Sequence, residues 1–217
     1  MPVFVEQQKN YQLLWERYSP LFGTEVFQDD PIPNYNIGIS LPPALHGEMG
    51  NLSESLQKTT NAVGGWITPN RMHITMDIPG RIGKHFTETD VPLMQEWLVD
   101  ICSGTKPFTV LLGDLNCFPN VLYREVYDRE EKLYALHEKM TRTIPWSEQP
   151  QFRGKNFTPH MSLLYLKQVG VHLFREGFSR SIPQAELLVS QIYFQVSTDT
   201  ADNPIALIGL GSGKLLQ

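Results

Sequence analysis

The 217 residues include only two cysteines, Cys102 and Cys117. That is too few for a disulfide framework, so a reduced, intracellular protein is expected. No apolar run approaches the roughly 20 residues that cross a bilayer, and no membrane partner is expected. The opening Met1-Pro2-Val3-Phe4-Val5-Glu6 lacks a basic stretch followed by a long apolar one, so a secretory signal is not expected and the cytoplasm is the expected location. Positive charge is not in excess either: 18 Lys plus Arg against 23 Asp plus Glu leave a net charge of −5. Wrapping of a long nucleic-acid backbone is therefore not expected, whereas a small nucleotide or the end of an RNA remains compatible. Low-complexity segments are missing too. With 41% hydrophobic residues the chain can bury a full core as one two-lobed domain, and a monomer is expected.

What the chain does have is a histidine followed two residues later by a hydroxyl, three times over. With 6 His and 26 Ser plus Thr in 217 residues, composition alone predicts about 0.7 such matches. Two lie in runs that read as strands: Arg71-Met72-His73-Ile74-Thr75-Met76-Asp77-Ile78 and His160-Met161-Ser162-Leu163-Leu164-Tyr165-Leu166. Side chains alternate along a strand, so His73 shares a face with Thr75, and His160 with Ser162. By the same parity Tyr165 is expected on the face opposite His160. The third match, His85-Phe86-Thr87, follows Pro79-Gly80 and precedes acidic Glu88-Thr89-Asp90, so it reads as a loop.

His73 and His160 are 87 residues apart, and at that offset the preceding segments follow one plan. Tyr35–Ser40 and Leu122–Tyr127 read as strands. Helix candidates follow, marked by Leu45, Leu52 and Leu56 in one half and by Leu133, Leu136 and Met140 in the other. Loops over Gly64–Pro69 and Arg153–Pro159 then lead to the histidine strands, with Trp66 and Trp146 at matching places before the two motifs. Strand, helix, loop and histidine strand twice over imply a duplicated, two-lobed α+β domain. Elsewhere, Val91 to Ile101 reads as an amphipathic helix with Thr89 or Asp90 as N-cap. Strands are expected over Phe108–Leu112, ending at Gly113-Asp114 with Cys117 in the loop beyond, over Leu187–Val196 and over Ile205–Ile208. A short helix is expected within 167–180. Gln7–Phe22 reads as an N-terminal helix, with Asp29–Pro33 connecting it to the repeat, which divides the chain into an extension, 1–33, and a bilobal domain, 34–217.

The paired strand-borne H-x-[TS] motifs resemble the 2H phosphoesterase superfamily, which includes the bacterial RNA 2′,3′-cyclic phosphodiesterases, also called 2′-5′ RNA ligases. The resemblance runs from about Tyr35 to Leu215. It includes Pro107 to Gly113 followed by Cys117-Phe118-Pro119, and Phe157-Thr158-Pro159 leading into His160. It implies a duplicated α+β fold with antiparallel sheets lining a central cleft and helices outside. Two features depart from the pattern. Many bacterial members have a basic residue shortly after the second motif, where this chain reads Leu163-Leu164-Tyr165, and the extension through Pro33 is longer than they need.

The resemblance implies opening of a 2′,3′-cyclic phosphate, with His160 as the base that activates water and His73 as the acid that protonates the leaving ribose oxygen. Imidazole titrates near pH 6.5 and can fill either role. Thr75 and Ser162 can donate hydrogen bonds to the phosphoryl oxygens. No cofactor and no metal are expected, and the partner is a nucleotide or RNA terminus bearing a cyclic phosphate. Arg153 and Lys155 are candidates to hold phosphate, and Phe118, Phe157 and Tyr123 to stack on a base. Against these stand ordinary solvated cations and packing aromatics. His46, His137 and His172 show no partner pattern. Three function classes stay open: a cyclic phosphodiesterase (or, with the same residues, a 2′-5′ ligase or phosphodiesterase), a nucleotide or RNA-end binding module with the same cleft, and a histidine metal site, for which the paired hydroxyls would be unexplained.

Overall fold

The computed structural model describes residues 3–28, 32–173, 178–197 and 202–216. In chain order the elements are α1 (Val3–Tyr18), β1 (Asn34–Ser40), α2 (His46–Thr59), β2 (His73–Gly80), α3 (Asp90–Ser103), β3 (Phe108–Phe118), β4 (Val121–Tyr127), α4 (Lys132–Thr143), β5 (His160–Tyr165), β6 (Ala185–Val189), β7 (Gln191–Ser197) and β8 (Asp202–Gly209). All eight strands join one antiparallel sheet in the order β6-β3-β4-β5-β2-β1-β7-β8. At its centre β2 and β5 are held by a single residue pair, Ile74 with Met161. The first lobe is β2-β1-β7-β8 and the second is β5-β4-β3-β6. Each has the duplicated β-α-β unit, β1-α2-β2 or β4-α4-β5, at the midline. The sheet is strongly curled, since β6 and β7 belong to different lobes although Ser190 alone separates them.

The two faces of the sheet differ. Behind it lies one continuous core, in which Ile37, Ile74, Met76, Leu112, Leu122, Met161 and Leu164 meet Met49 and Leu56 of α2, Met94 and Leu98 of α3, and Leu133, Leu136 and Met140 of α4. The helical spacing of those leucines and methionines puts them on one stripe per helix. α4 starts where the Asp128 carboxylate accepts hydrogen bonds from the backbone N–H groups of Leu133 (2.6 Å) and Tyr134 (3.3 Å), satisfying two donors at the helix start. On the other face of the second lobe is a smaller cluster: Leu111, Val121, Tyr123 and Tyr127 from β3 and β4, closed over by Tyr11 with Phe4, Leu14 and Phe27. α1 thus packs on β3 and β4 from the histidine side, while α2, α3 and α4 lie behind the sheet.

Several expected boundaries move. The strand over Leu187–Val196 breaks at Ser190, whose carbonyl accepts from the N–H of Leu210. β3 does not end at Gly113-Asp114: its pairing with β4 skips one residue there, as a β-bulge does, and continues to Phe118. Cys117 is therefore in a strand, and both thiols are buried and unpaired, pushed up to about 12 by burial. Thr89 makes no side-chain cap; instead the Asp90 carboxylate accepts from the N–H of Thr87 at 2.7 Å. No helix forms in the described part of 167–180, residues 174–177 of that expectation lying outside the described residues. Residues 29–31 of the expected connector lie outside them too. α1 starts four residues earlier than Gln7, and a short 3-10 turn, Ser19–Leu21, follows it. No described helix is long and apolar enough to cross a membrane.

Candidate active site

The site is built from β2 and β5 where they meet. Extending the Ile74–Met161 pair by one residue each way sets His73 across from Ser162 and Thr75 across from His160. Each histidine thus faces the hydroxyl of the other lobe. Both rings are anchored alike: His73 Nδ1 lies 2.8 Å from the carbonyl of Arg71, and His160 Nδ1 2.8 Å from that of Thr158. A carbonyl can only accept, so Nδ1 carries a proton in each ring and Nε2 is left for proton transfer. An aromatic edge packs against each imidazole as well. Tyr193 lies 5.7 Å from His73 at 90°, and Phe118 lies 5.3 Å from His160 at 84°. Tyr193 reaches His73 by crossing β1 at Gly38, where a Cβ would fall 2.3 Å from the tyrosine hydroxyl.

Both imidazoles have lowered pKa values, chiefly because burial disfavours the charged form. The carbonyl bonds pull the other way. His160 is lowered further by the charge of His73, so a proton on one ring discourages a second on its neighbour. For His73, Asp202 raises the pKa and Arg71 lowers it.

A β-bulge follows each motif at the same place. β1 pairs Ile37 with Asp77 and Gly38 with Thr75, leaving Met76 extra; β4 pairs Leu122 with Leu164 and Tyr123 with Ser162, leaving Leu163 extra. Both extra residues are three past their histidine, and both are buried in the main core. In β5 the bulge resets the alternation, so Tyr165 returns to the histidine face. Its ring packs with the inner cluster and its hydroxyl is hydrogen-bonded to that of Ser162. The expectation that Tyr165 points away assumed an unbroken period of two and is corrected by the bulge.

In β2 the bulge turns Asp77 to the core side, and this decides the fate of Arg153. Its Nε donates to Asp77 Oδ1 (3.1 Å), Nη2 to Asp77 Oδ2 and to the carbonyl of Trp146, and Nη1 to the carbonyl of Ile144 (2.9 Å). Arg153 is thereby spent behind the sheet and cannot be the phosphate ligand expected of it. Phe157 is corrected likewise: it stacks on His137 at 3.8 Å, and His137 is itself held by the Met76 carbonyl. Lys155 is exposed and lines a cavity of about 320 Å³ with Gln7, Tyr11, Phe157 and Thr158, which neither paired histidine lines. Tyr123 lies against His160 and Phe118 but is 0% exposed, so it supports the histidine and offers no face to a base. Phe118 remains at the wall beside His160. Trp66 and Trp146 pack against the main core.

Three residues not singled out from sequence complete the site: Arg71, Asp202 and Tyr193. Arg71 precedes His73 by two, and its Nε donates to the Asp202 carboxylate at 2.8 Å. Its charge also acts on Tyr165 across the lobe boundary. Arg71 ends a 3-10 turn, Pro69–Arg71, ahead of β2, so strand alternation does not place it; Tyr193 reaches the site only through the pairing of β1 with β7, and Asp202 only through that of β7 with β8. His85, by contrast, is held by the Arg81 N–H (3.1 Å) and Glu148 (3.2 Å) in a loop, as its context implied. Among the described residues no three of His, Cys, Asp or Glu gather as a metal site would require.

Residues 50–201 match the model of the 2′-5′ RNA ligase superfamily. The chain belongs to this superfamily. Among solved structures, TT0787 of Thermus thermophilus is similar, with a TM-score of 0.60 at 15% identity over 82% of this chain and 98% of that one. LigT of E. coli, solved with phosphate, gives 0.59 at 15% identity over 83% and 99%; its complex with 3′-AMP gives 0.55 at 14%. At that identity the likeness concerns the fold: a curled antiparallel sheet with helices. No curated protein sequence matches the chain.

Proposed function

We propose that this protein is a phosphodiesterase that opens 2′,3′-cyclic phosphates by two-histidine acid–base catalysis, needing no metal. The observation that carries the reading is the symmetric anchoring of His73 and His160. Each has its tautomer set by the carbonyl two residues earlier, and each faces a hydroxyl from the other lobe. His160 Nε2 takes a proton from water as the water oxygen bonds to phosphorus. The bond from phosphorus to one ribose oxygen breaks, and that oxygen takes the proton from His73 Nε2. Thr75 and Ser162 donate to the non-bridging oxygens, where negative charge gathers. The mutual repulsion of the two imidazolium forms favours the singly protonated pair that this scheme needs. Arg71, beside His73, offers the cation that the second motif lacks. That LigT, alike in fold, has been solved with 3′-AMP and with phosphate is consistent with a nucleotide monophosphate fitting such a cleft.

The test is incubation with 2′,3′-cyclic mononucleotides in EDTA, resolving 2′- from 3′-phosphate products. Turnover under chelation is expected. Binding without turnover would leave a nucleotide-binding module, and activity restored only by zinc or manganese would move the chemistry to a metal-bound water.

A further inference from the structure

The N-terminal segment has no part in the proposed chemistry, yet it lies on the catalytic face. α1 has 16 residues and is about 24 Å long, while β4, with 7, spans about 23 Å, so the helix covers the strand from end to end. Its contacts follow that length. Phe4 packs on Tyr127, and Gln7 exchanges hydrogen bonds with the backbone of Asp128. The Tyr11 hydroxyl, with one proton to donate, lies against the carbonyls of Val126 and Pro159, and its backbone carbonyl accepts from Asn116; Tyr18 packs edge-on against Phe118. The chain then hooks back. The N–H of Gly23 donates to Pro119, that of Phe27 to Leu166, and the Phe27 ring lies 4.2 Å from Tyr165. The aromatic pairs Tyr18–Phe118 and Phe27–Tyr165 thus back the walls beside His160 and Ser162.

We propose that residues 3–28 form a fixed cap over the second lobe's half of the cleft, and that the substrate is therefore a single nucleoside 2′,3′-cyclic phosphate seated over the first lobe, not the cyclic end of a long RNA. The proposal rests on the phosphodiesterase reading above. A ligand does not displace such a cap easily, because lifting it would expose the Tyr11, Tyr123 and Tyr127 cluster and strand its hydrogen bonds. Charge argues the same way. A polynucleotide gains affinity from cations along its path, but three arginines of the two lobes are matched by acids. Arg180, of the second lobe, is taken up by Glu125 (2.8 Å) and by Gln12 of α1 (2.6 Å). Arg71 is paired with Asp202, and Arg81, at the far end of the first lobe, with Glu148. The first lobe's inner face otherwise carries uncharged polar groups, Asn36 and Gln195, both largely buried, and Ser197, and no helix among the described residues packs on it.

The experiment compares kcat/KM of the full chain on 2′,3′-cyclic AMP and on a hexanucleotide ending in a 2′,3′-cyclic phosphate. The mononucleotide is expected to be turned over at least as well as the hexamer, with only shallow salt dependence for either. A double variant, Tyr18→Ala with Phe27→Ala, should raise the hexamer-to-mononucleotide ratio about fivefold or more by opening the cap. A wild-type preference for the hexamer of about tenfold overturns the proposal, as does a folded double variant with an unchanged ratio. If the double variant does not fold, the wild-type ratio alone decides. If the wild type turns over neither substrate, the phosphodiesterase reading fails, and calorimetric binding of 3′-AMP against a 3′-phosphorylated hexamer tests the cap separately. Equal affinity supports it; a hexamer bound about tenfold tighter, or no binding of either, overturns it.

Discussion

In the first lobe, His73 is held by the Arg71 carbonyl, edged by Tyr193, followed by Thr75 and then by a bulge at Met76. In the second, His160 is held by the Thr158 carbonyl, edged by Phe118, followed by Ser162 and then by a bulge at Leu163. The half-sites agree in these four features. Their surroundings do not: α1 covers β3 and β4, whereas among the described residues no helix packs on the first lobe's inner face, which instead carries the Arg71–Asp202 pair. Proton transfer needs only the local geometry, which duplication copies. What the cleft admits depends on what covers each lobe, and there the copies have diverged.

If the half-sites are partners in one proton-transfer scheme, His73→Ala and His160→Ala should each lower kcat by about 10²-fold or more, and together by less than the product. A large loss from one and none from the other would break the equivalence of the lobes. The acidity of the pair sharpens it. Burial lowers both pKa values, so the bell-shaped kcat/KM profile should be centred on the acid side of the ordinary histidine value of about 6.5. The sign for stability follows: folding favours the neutral rings, so their contribution is present above about pH 6.5 and is lost as pH falls through the lowered folded values. Denaturation midpoints measured against pH would check this, and each alanine variant should flatten the dependence.

The second lobe's cover gives the next effect. Tyr11, 2% exposed, has its hydroxyl against the backbone of Val126 and Pro159, the residue before His160. Tyr11→Phe should destabilise by about 1–3 kcal/mol, the usual penalty for stranding buried partners, read as a lower denaturation midpoint. Destabilisation below a few tenths of a kcal/mol would mean that α1 rests loosely on the sheet.

How much of this was legible in the sequence depended on how local each feature is. His73, Thr75, His160 and Ser162 could be found because parity over three residues is preserved up to the bulge. Tyr165 could not be placed, because one extra residue at Leu163 reverses every later side chain. Arg153 read as a loop cation because its partner Asp77 is 76 positions away and is itself turned inward by a bulge. The Ser190 break lay hidden within a run that reads as one strand, since the strands on either side pair in different lobes. The duplicated plan survived all of this because helical spacing in α4 and the lead-in loops are local signals as well.

A smaller effect is expected on the first lobe's own device. Arg71→Ala should raise KM about tenfold with kcat changed much less, the scale of one lost charge-assisted hydrogen bond, and Arg71→Lys should recover part of it. Asp202→Asn removes a group that raises the His73 pKa, so the limb of the pH profile governed by His73 should move further to acid. Equal falls in kcat for both Arg71 variants, with KM unchanged, would mean that the arginine orients His73 and does not meet substrate.

The smallest effect tests whether lettering or placement makes the site. His85-Phe86-Thr87 spells the same motif as His73-Ile74-Thr75, but His85 Nδ1 accepts from the Arg81 N–H and its Nε2 lies 3.2 Å from Glu148. Both ring nitrogens are thus engaged, and Gly80 is shaped around the ring: a Cβ there would fall 2.4 Å from Nδ1. His85→Ala should therefore leave kcat/KM and the pH profile unchanged on cyclic mononucleotides. Its effect on stability should be within about 1 kcal/mol, as for a single partly exposed polar contact. Loss of turnover comparable to that of His73→Ala, in a variant that melts normally, would mean that the two-lobe comparison has paired the wrong histidines.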